Sequence, residues 1–233
     1  MTSFELCCSD IQSVIFAQRY KVEGIELCTN LKEGGVTPSI GFVRAACEIF
    51  KGSIAVLIRA RPGSFYYSDV EKKIMLDEIP YLIESGVDTI VFGALNTDNT
   101  IDEEFLQEIC TNSRSAKLCF HKAVDITQDL FSSLETLKKF RIHRVLTSGG
   151  KLTAIEGVEN LKKLVQVSEN TIEIMLGGSI KPEHIHQLIQ ETGVTRIHAA
   201  LRNSRIVDQE IVDEELLKKA MNKIRILNSQ KKD

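Results

Sequence analysis

The chain has 233 residues, 43% hydrophobic and 26% charged, with a formal net charge of −3. That composition supplies one full core and is too ordinary for a disordered chain. The mild charge, the absence of tryptophan and the lack of basic runs interleaved with aromatics give no reason to expect nucleic acid or an anionic membrane as partner.

The first residues, Met1-Thr2-Ser3-Phe4-Glu5-Leu6-Cys7-Cys8, carry neither a basic segment nor a long apolar run, so neither a signal peptide nor a membrane span is expected there. Six cysteines without an export signal read as thiols of a reducing, cytoplasmic compartment. None of their spacings is C-x-x-C, which argues against a zinc ribbon or a thioredoxin-type pair.

Along the chain, short apolar or β-branched runs alternate with longer amphipathic segments. Strand 4–8 precedes helix 11–20, strand 24–28 precedes helix 38–50, and strand 54–59 precedes helix 69–85. Strand 89–95 leads to helix 103–112, strand 117–121 to helix 130–139, and strand 144–148 to helix 158–167. Strand 172–176 leads to helix 182–191, and strand 196–199 to helix 214–227. Thr37-Pro38 offers an N-cap with proline at the first helical position, and Lys181-Pro182 places proline there again. Ser68 and Glu71 have the spacing of a capping box. Gly86 and Gly193 are placed to end helices in the left-handed conformation. Residues 203–213 form a polar stretch before the last helix, and 228–233 read as a frayed tail. Eight strand-then-helix units with no break in composition predict one domain over 1–233, a single (β/α)8 barrel of the TIM type.

Alternation along the strands then assigns the polar residues. Glu5-Leu6-Cys7 in the first strand is repeated as Glu26-Leu27-Cys28 in the second. With both leucines toward the helices, Glu5, Cys7, Glu26 and Cys28 face the barrel interior. Arg59 and Arg61 are two apart on one face, and Cys119 and His121 end the fifth strand inward. These groups constitute either a self-neutralising buried network or a polar catalytic centre at the carboxyl end of the strands, where barrel enzymes work. Asp125 follows His121 closely and is counted with that centre. Two glycine loops, Ser148-Gly149-Gly150 and Gly177-Gly178, are candidates for holding an anion on backbone N–H groups. His198 is expected at the mouth, His143 to be structural, and His184 and His186 on a helix surface.

These residues also resemble one family. Glu5-Leu6-Cys7, Ile25-Glu26-Leu27-Cys28 with Glu33-Gly34-Gly35-Val36-Thr37-Pro38-Ser39, and Ile58-Arg59-Ala60-Arg61 with Tyr67-Ser68-Asp69 are similar to segments of the CutC copper-homeostasis proteins. Phe92-Gly93-Ala94-Leu95, Phe120-His121-Lys122-Ala123-Val124-Asp125, Arg144-Val145-Leu146-Thr147-Ser148-Gly149 and Gly177-Gly178 continue the match in order to about residue 202. The resemblance implies a barrel, a role in copper handling, and Cys7 and Cys28 as Cu(I) ligands. Soft thiolates do select Cu(I). The sequence departs from the family's Arg-Pro-Arg-Gly-Gly-Asp/Asn-Phe pattern, reading Arg59-Ala60-Arg61-Pro62-Gly63-Ser64-Phe65, and it has Lys122 and Val124 where an arginine and an aromatic are usual. Two functions follow as expectations. One is a cytosolic Cu(I)-binding protein. The other is a barrel enzyme acting on a small phosphorylated or carboxylated metabolite, clamped by Arg59 and Arg61, with His121 or a glutamate moving protons. A homo-oligomer is compatible with either.

Overall fold

The computed structural model describes residues 1–113, 116–202 and 210–230. Eight strands, β1 (Ser3–Cys8), β2 (Gly24–Leu27), β3 (Ser53–Leu57), β4 (Thr89–Phe92), β5 (Lys117–Phe120), β6 (Arg144–Thr147), β7 (Glu173–Leu176) and β8 (Arg196–Ala199), alternate with eight helices. The helices are α1 (Ile11–Tyr20), α2 (Ile40–Ile49), α3 (Asp69–Glu84), α4 (Glu103–Asn112), α5 (Leu130–Lys139), α6 (Val158–Val167), α7 (Ile185–Thr192) and α8 (Glu214–Gln230). The strands pair in sequence order, and β1 closes on β8 with Phe4 opposite Ile197, so the sheet is a closed parallel barrel. The expected (β/α)8 architecture is the one observed.

Strands β2 to β6 end one to three residues earlier than their apolar runs, because the chain turns into the upper loops there, whereas β1, β7 and β8 end with theirs. The helix signals act as expected at α3, where the Ser68 and Glu71 side chains each accept from the other's backbone N–H, and at Gly86 and Gly193, which are left-handed. One expectation is corrected. Ser39, not Thr37, caps α2, accepting from the Phe42 N–H. Thr37 is instead engaged with the Arg59 backbone, its hydroxyl accepting from the Arg59 N–H at 2.9 Å. The expected tail is corrected too. Helix α8 runs to Gln230, and Asn228 binds both backbone groups of Thr2, accepting from its N–H at 2.6 Å and donating to its carbonyl at 2.8 Å. Of the polar stretch expected over 203–213, residues 203–209 lie outside the described residues, as do 231–233.

The core has two shells. Phe4, Leu6, Ile25, Leu27, Val56, Ile90 and Phe92 face outward from the strands and pack under the helices. Cys7, Cys28, Ala55, Leu57, Val91, Cys119, Leu146 and Met175 fill the barrel interior. Below this inner layer, Arg144 bridges Glu5 at 3.2 Å and Glu173 at 2.6 Å, and Arg196 reaches Glu173 at 3.0 Å. Arg144, Glu173 and Arg196 each open a strand, so this network plugs the amino-terminal end and leaves the opposite end free for a site.

Candidate metal and ligand site in the barrel mouth

Register brings the interior groups together. Cys7 stands beside Glu26 across β1 and β2, and Glu5 beside His198 across β1 and β8. The Cys7 and Cys28 sulfurs are 3.6 Å apart, and His198 Nδ1 is 3.0 Å from Glu5 Oε1. A sulfur of Cys7, an oxygen of Glu26 and a ring nitrogen of His198 all lie within 4.8 Å of one another. Glu5, Cys7, Glu26 and Cys28 face the interior, as alternation along β1 and β2 assigns them.

Burial and proximity set the charges. The S–H of Cys28 directed at Cys7 outweighs burial and holds the Cys7 thiol well below its ordinary range, with His198 assisting. Cys28, as the hydrogen-bonded and buried partner, is pushed up. Burial alone would lower His198, but Glu26, Cys7 and Glu5 outweigh it and raise the imidazole well above its usual value. Burial raises Glu5, yet the bond and charge of His198, with Arg144 and Arg196, bring it below its ordinary value. Glu26 goes the other way. Burial pushes it up to about 8, His198 only partly opposing, and its buried Oε2 has no hydrogen-bond partner. Cys7 and His198 are thus both biased toward their charged forms, beside a carboxyl biased toward its neutral form.

The loop after β2 closes over this cluster. Gly35 has φ of +84°, and a Cβ there would lie 2.9 Å from the Leu57 side chain and 3.6 Å from the Cys28 sulfur, so only glycine lets the backbone lie this close. Arg59 pins the loop, donating to the carbonyls of Glu33 at 3.1 Å and Gly35 at 2.8 Å, and reaches the Gly63 carbonyl as well. Its guanidinium also lies over the Phe65 ring, 4.9 Å from the centroid. Arg61 does not share that position. With β3 ended at Leu57, alternation no longer applies, and Arg61 turns to Glu71 and to the carbonyls of Pro62, Ser64 and Tyr66. The expected Arg59–Arg61 clamp is thereby corrected: both guanidiniums organise loops.

His121 is buried against Phe65, ring centroids 4.9 Å apart. Its Nδ1 accepts from the Ala123 N–H at 3.1 Å, which leaves the proton of the neutral ring on Nε2, a buried atom without a partner among the described residues. Burial, with Arg59 adding to it, lowers this histidine to about 3.

Asp125 and the Ser148-Gly149-Gly150 loop meet each other. The carboxylate accepts from the N–H of Ser148 at 3.0 Å, the N–H of Gly150 at 2.8 Å and the hydroxyls of Ser148 and Thr147. Lys122 Nζ lies 2.9 Å from the same carboxylate. The anion-holding character expected of this loop is real chemistry, but an internal carboxylate occupies it. The expectation of an open anion site there is corrected for that reason.

A cavity of about 630 Å³ opens at the carboxyl end of the strands, lined among others by Cys7, Glu26, Arg59, His121, Gly178 and His198. Glu5, Cys28, Arg61, Asp125, Ser148, Gly149, Gly150 and Gly177 are not among its lining residues. Sequence reasoning missed Lys122, Ser179 and Arg202 in the lining and Arg144, Glu173 and Arg196 in the plug. The last three were within reach of the same alternation, each standing two residues before an inner-layer residue or His198. Of the other histidines, His143 accepts from the Leu118 N–H at 3.2 Å, a structural role.

The geometry defines a (β/α)8 barrel whose mouth leads to a thiol–imidazole–carboxylate cluster in metal-ligand range. Comparison with known proteins agrees: the CutC family model matches residues 2–203, and the chain belongs to the CutC family. It is 35% identical over 201 residues to the human protein named copper homeostasis protein cutC homolog, covering 86% of this chain and 74% of that one. A family protein CutC of Glaesserella parasuis is also 35% identical, with 86% and 83% covered. The crystal structure of CutC from Streptococcus agalactiae superimposes with a TM-score of 0.82 at 33% identity, covering 85% of this chain and 98% of that chain. Phosphoribosyl anthranilate isomerase of Thermotoga maritima shares the fold, with a TM-score of 0.62 at 9% identity and 97% and 99% covered. Among the described residues, no helix is long and apolar enough to cross a membrane.

Proposed function

We propose that this chain serves copper homeostasis in the cytoplasm by taking up Cu(I) as cargo between Cys7 and Cys28, with His198 as a third donor. The observation that carries the reading is the pair of buried sulfurs 3.6 Å apart with an imidazole beside them. Thiolate and imidazole suit Cu(I), and this donor set lies on rigid strands. A metal–thiolate bond is about 2.3 Å for zinc, so sulfurs this close suit a bent site that leaves room for a third ligand. Cys7 lines the cavity, which gives the ion a route from the mouth. Glu26, neutral and with Oε2 unsatisfied among the described residues, stands beside Cys7 and His198, where its carboxyl can hydrogen-bond to a ligand once that ligand has ionised.

The test is an anaerobic Cu(I) titration against a competing chelator, comparing wild type with Cys7→Ser and Cys28→Ser. One ion per chain is expected, with affinity falling by more than about 100-fold in either variant, since even outer-shell changes cost 10–100-fold. Binding should also release protons, because Cys28 and His198 must give theirs up. Weak binding, or binding indifferent to both thiols, would overturn the proposal.

A further inference from the structure

The copper reading leaves most of the cavity unexplained. Its upper wall is the loop after β7, where Gly178, Ser179 and Ile180 all line the space. Gly178 and Ser179 have φ of +108° and +53°, so the chain here is curled into left-handed turns. Among the described residues, the backbone N–H groups of 178–180 donate to no acceptor. The loop after β6 is the internal comparison. Its N–H groups are saturated by the Asp125 carboxylate, whereas among the described residues the β7 loop has no such occupant and lines the cavity.

Cations converge on that wall. A Cβ at Gly178 would lie 3.3 Å from Lys122 Nζ, so the ammonium rests against the loop. Lys181 and Arg202 also line the cavity. The Arg202 guanidinium donates to the carbonyls of Ala200, Cys7 and Glu210 and to the Ser9 hydroxyl, and Arg59 donates to three carbonyls. Among the described residues neither guanidinium has a carboxylate partner, so their charge is not cancelled locally. Among the described residues the acidic members of the lining are Glu183 and Glu26, and burial pushes Glu26 up to about 8. Beneath the cations the wall turns apolar at Leu57, Phe65 and Leu146, and His121 stands there with its unsatisfied Nε2–H. An apolar cavity of 300–1,000 Å³ with a few convergent polar groups is the usual form of a small-molecule site.

We propose that the barrel mouth binds a small phosphate monoester, with the phosphate on the backbone of 178–180 and Lys122 and the organic part above Leu57 and Phe65. Three phosphate oxygens match several N–H donors and one ammonium better than a planar carboxylate does. The His121 Nε2–H gains an acceptor from a hydroxyl or carbonyl of the organic part. This site is separate from the sulfur pair and stands or falls independently of the copper reading.

The experiment is a titration of the wild-type protein, followed through its backbone amide NMR signals, first with inorganic phosphate and then with glycerol 3-phosphate. Saturable shifts at Gly178, Ser179 and Ile180 are expected, with Ser148 and Gly150 unmoved and glycerol 3-phosphate bound more tightly than phosphate. Lys122→Gln should weaken binding by about tenfold or more, the worth of one charge-assisted hydrogen bond. Because Lys122 also supports Asp125 and Ser148, the wild-type shifts decide the matter if that variant fails to fold. Shifts absent or unsaturable at 178–180, or centred on 148–150, would overturn the proposal. Equal affinity for the two ligands would overturn its organic half.

Discussion

Glu26 and His121 line one cavity and respond to pH in opposite senses. The Glu26 carboxyl titrates at about 8 when folded and at 4.5 when exposed, so the native state holds an extra proton between those values. Stability attributable to Glu26 therefore falls by about 1.4 kcal/mol per pH unit as pH rises from 4.5 to 8. His121 goes from 6.5 when exposed to about 3 when folded. The native state lacks that proton, and stability rises at the same rate until pH 6.5. The two contributions offset each other between pH 4.5 and 6.5, and above 6.5 Glu26 alone remains, joined by the raised His198, whose contribution is also lost as pH climbs. Glu26→Gln should abolish most of the decline, a gain of about 2 kcal/mol at pH 8 relative to pH 6.5. Urea midpoints at pH 5, 6.5 and 8 measure it, and an unchanged decline would show that Glu26 titrates normally. At this scale the sequence was legible only where the backbone was regular. Glu5, Cys7 and Glu26 lie inside strands and Cys28 directly follows β2, so alternation places them. Arg61 lies beyond the end of β3 and takes its direction from Glu71, a contact no periodicity encodes.

At the scale of elements, glycine-rich turns announced two anion-holding loops, and the sequence could not show which was already filled. The occupant of the β6 loop, Asp125, belongs to the short 3-10 turn after β5, and only the parallel packing of neighbouring strands brings the two together. Asp125→Ala should leave the donors of Ser148 and Gly150 unpaired and cost about 3 kcal/mol or more. Asp125→Asn, which keeps the acceptor oxygen, should cost less. Denaturant unfolding of both variants checks this, and equal, small losses would mean that solvent replaces the carboxylate freely. Helix boundaries were read well where a cap is local, as at Ser68 and Glu71. Thr37 misled because a residue just past the end of β3, Arg59, competes for its hydroxyl.

At the scale of the molecule, the count of eight units carried the fold, because each unit writes its own period of two and then of 3.6 into the sequence. Closure itself was less legible. The tail that reads as frayed holds Asn228, which grips both backbone groups of Thr2 and ties α8 to the start of β1. Asn228→Ala should lower stability by about 1–2 kcal/mol, seen as a lower melting temperature with the folded spectrum unchanged; no change would mean that the apolar face of α8 suffices. The pairing of β1 with β8 also has a consequence for synthesis. Phe4 meets Ile197, so the first strand to leave the ribosome cannot complete its hydrogen bonds until almost the last strand emerges. At 5–20 residues per second that interval is roughly ten to forty seconds. Throughout it one edge of β1 is bare, with Cys7 and Cys8 on the exposed strand and their thiols far more open to oxidants and stray metal than in the finished barrel, where both are buried.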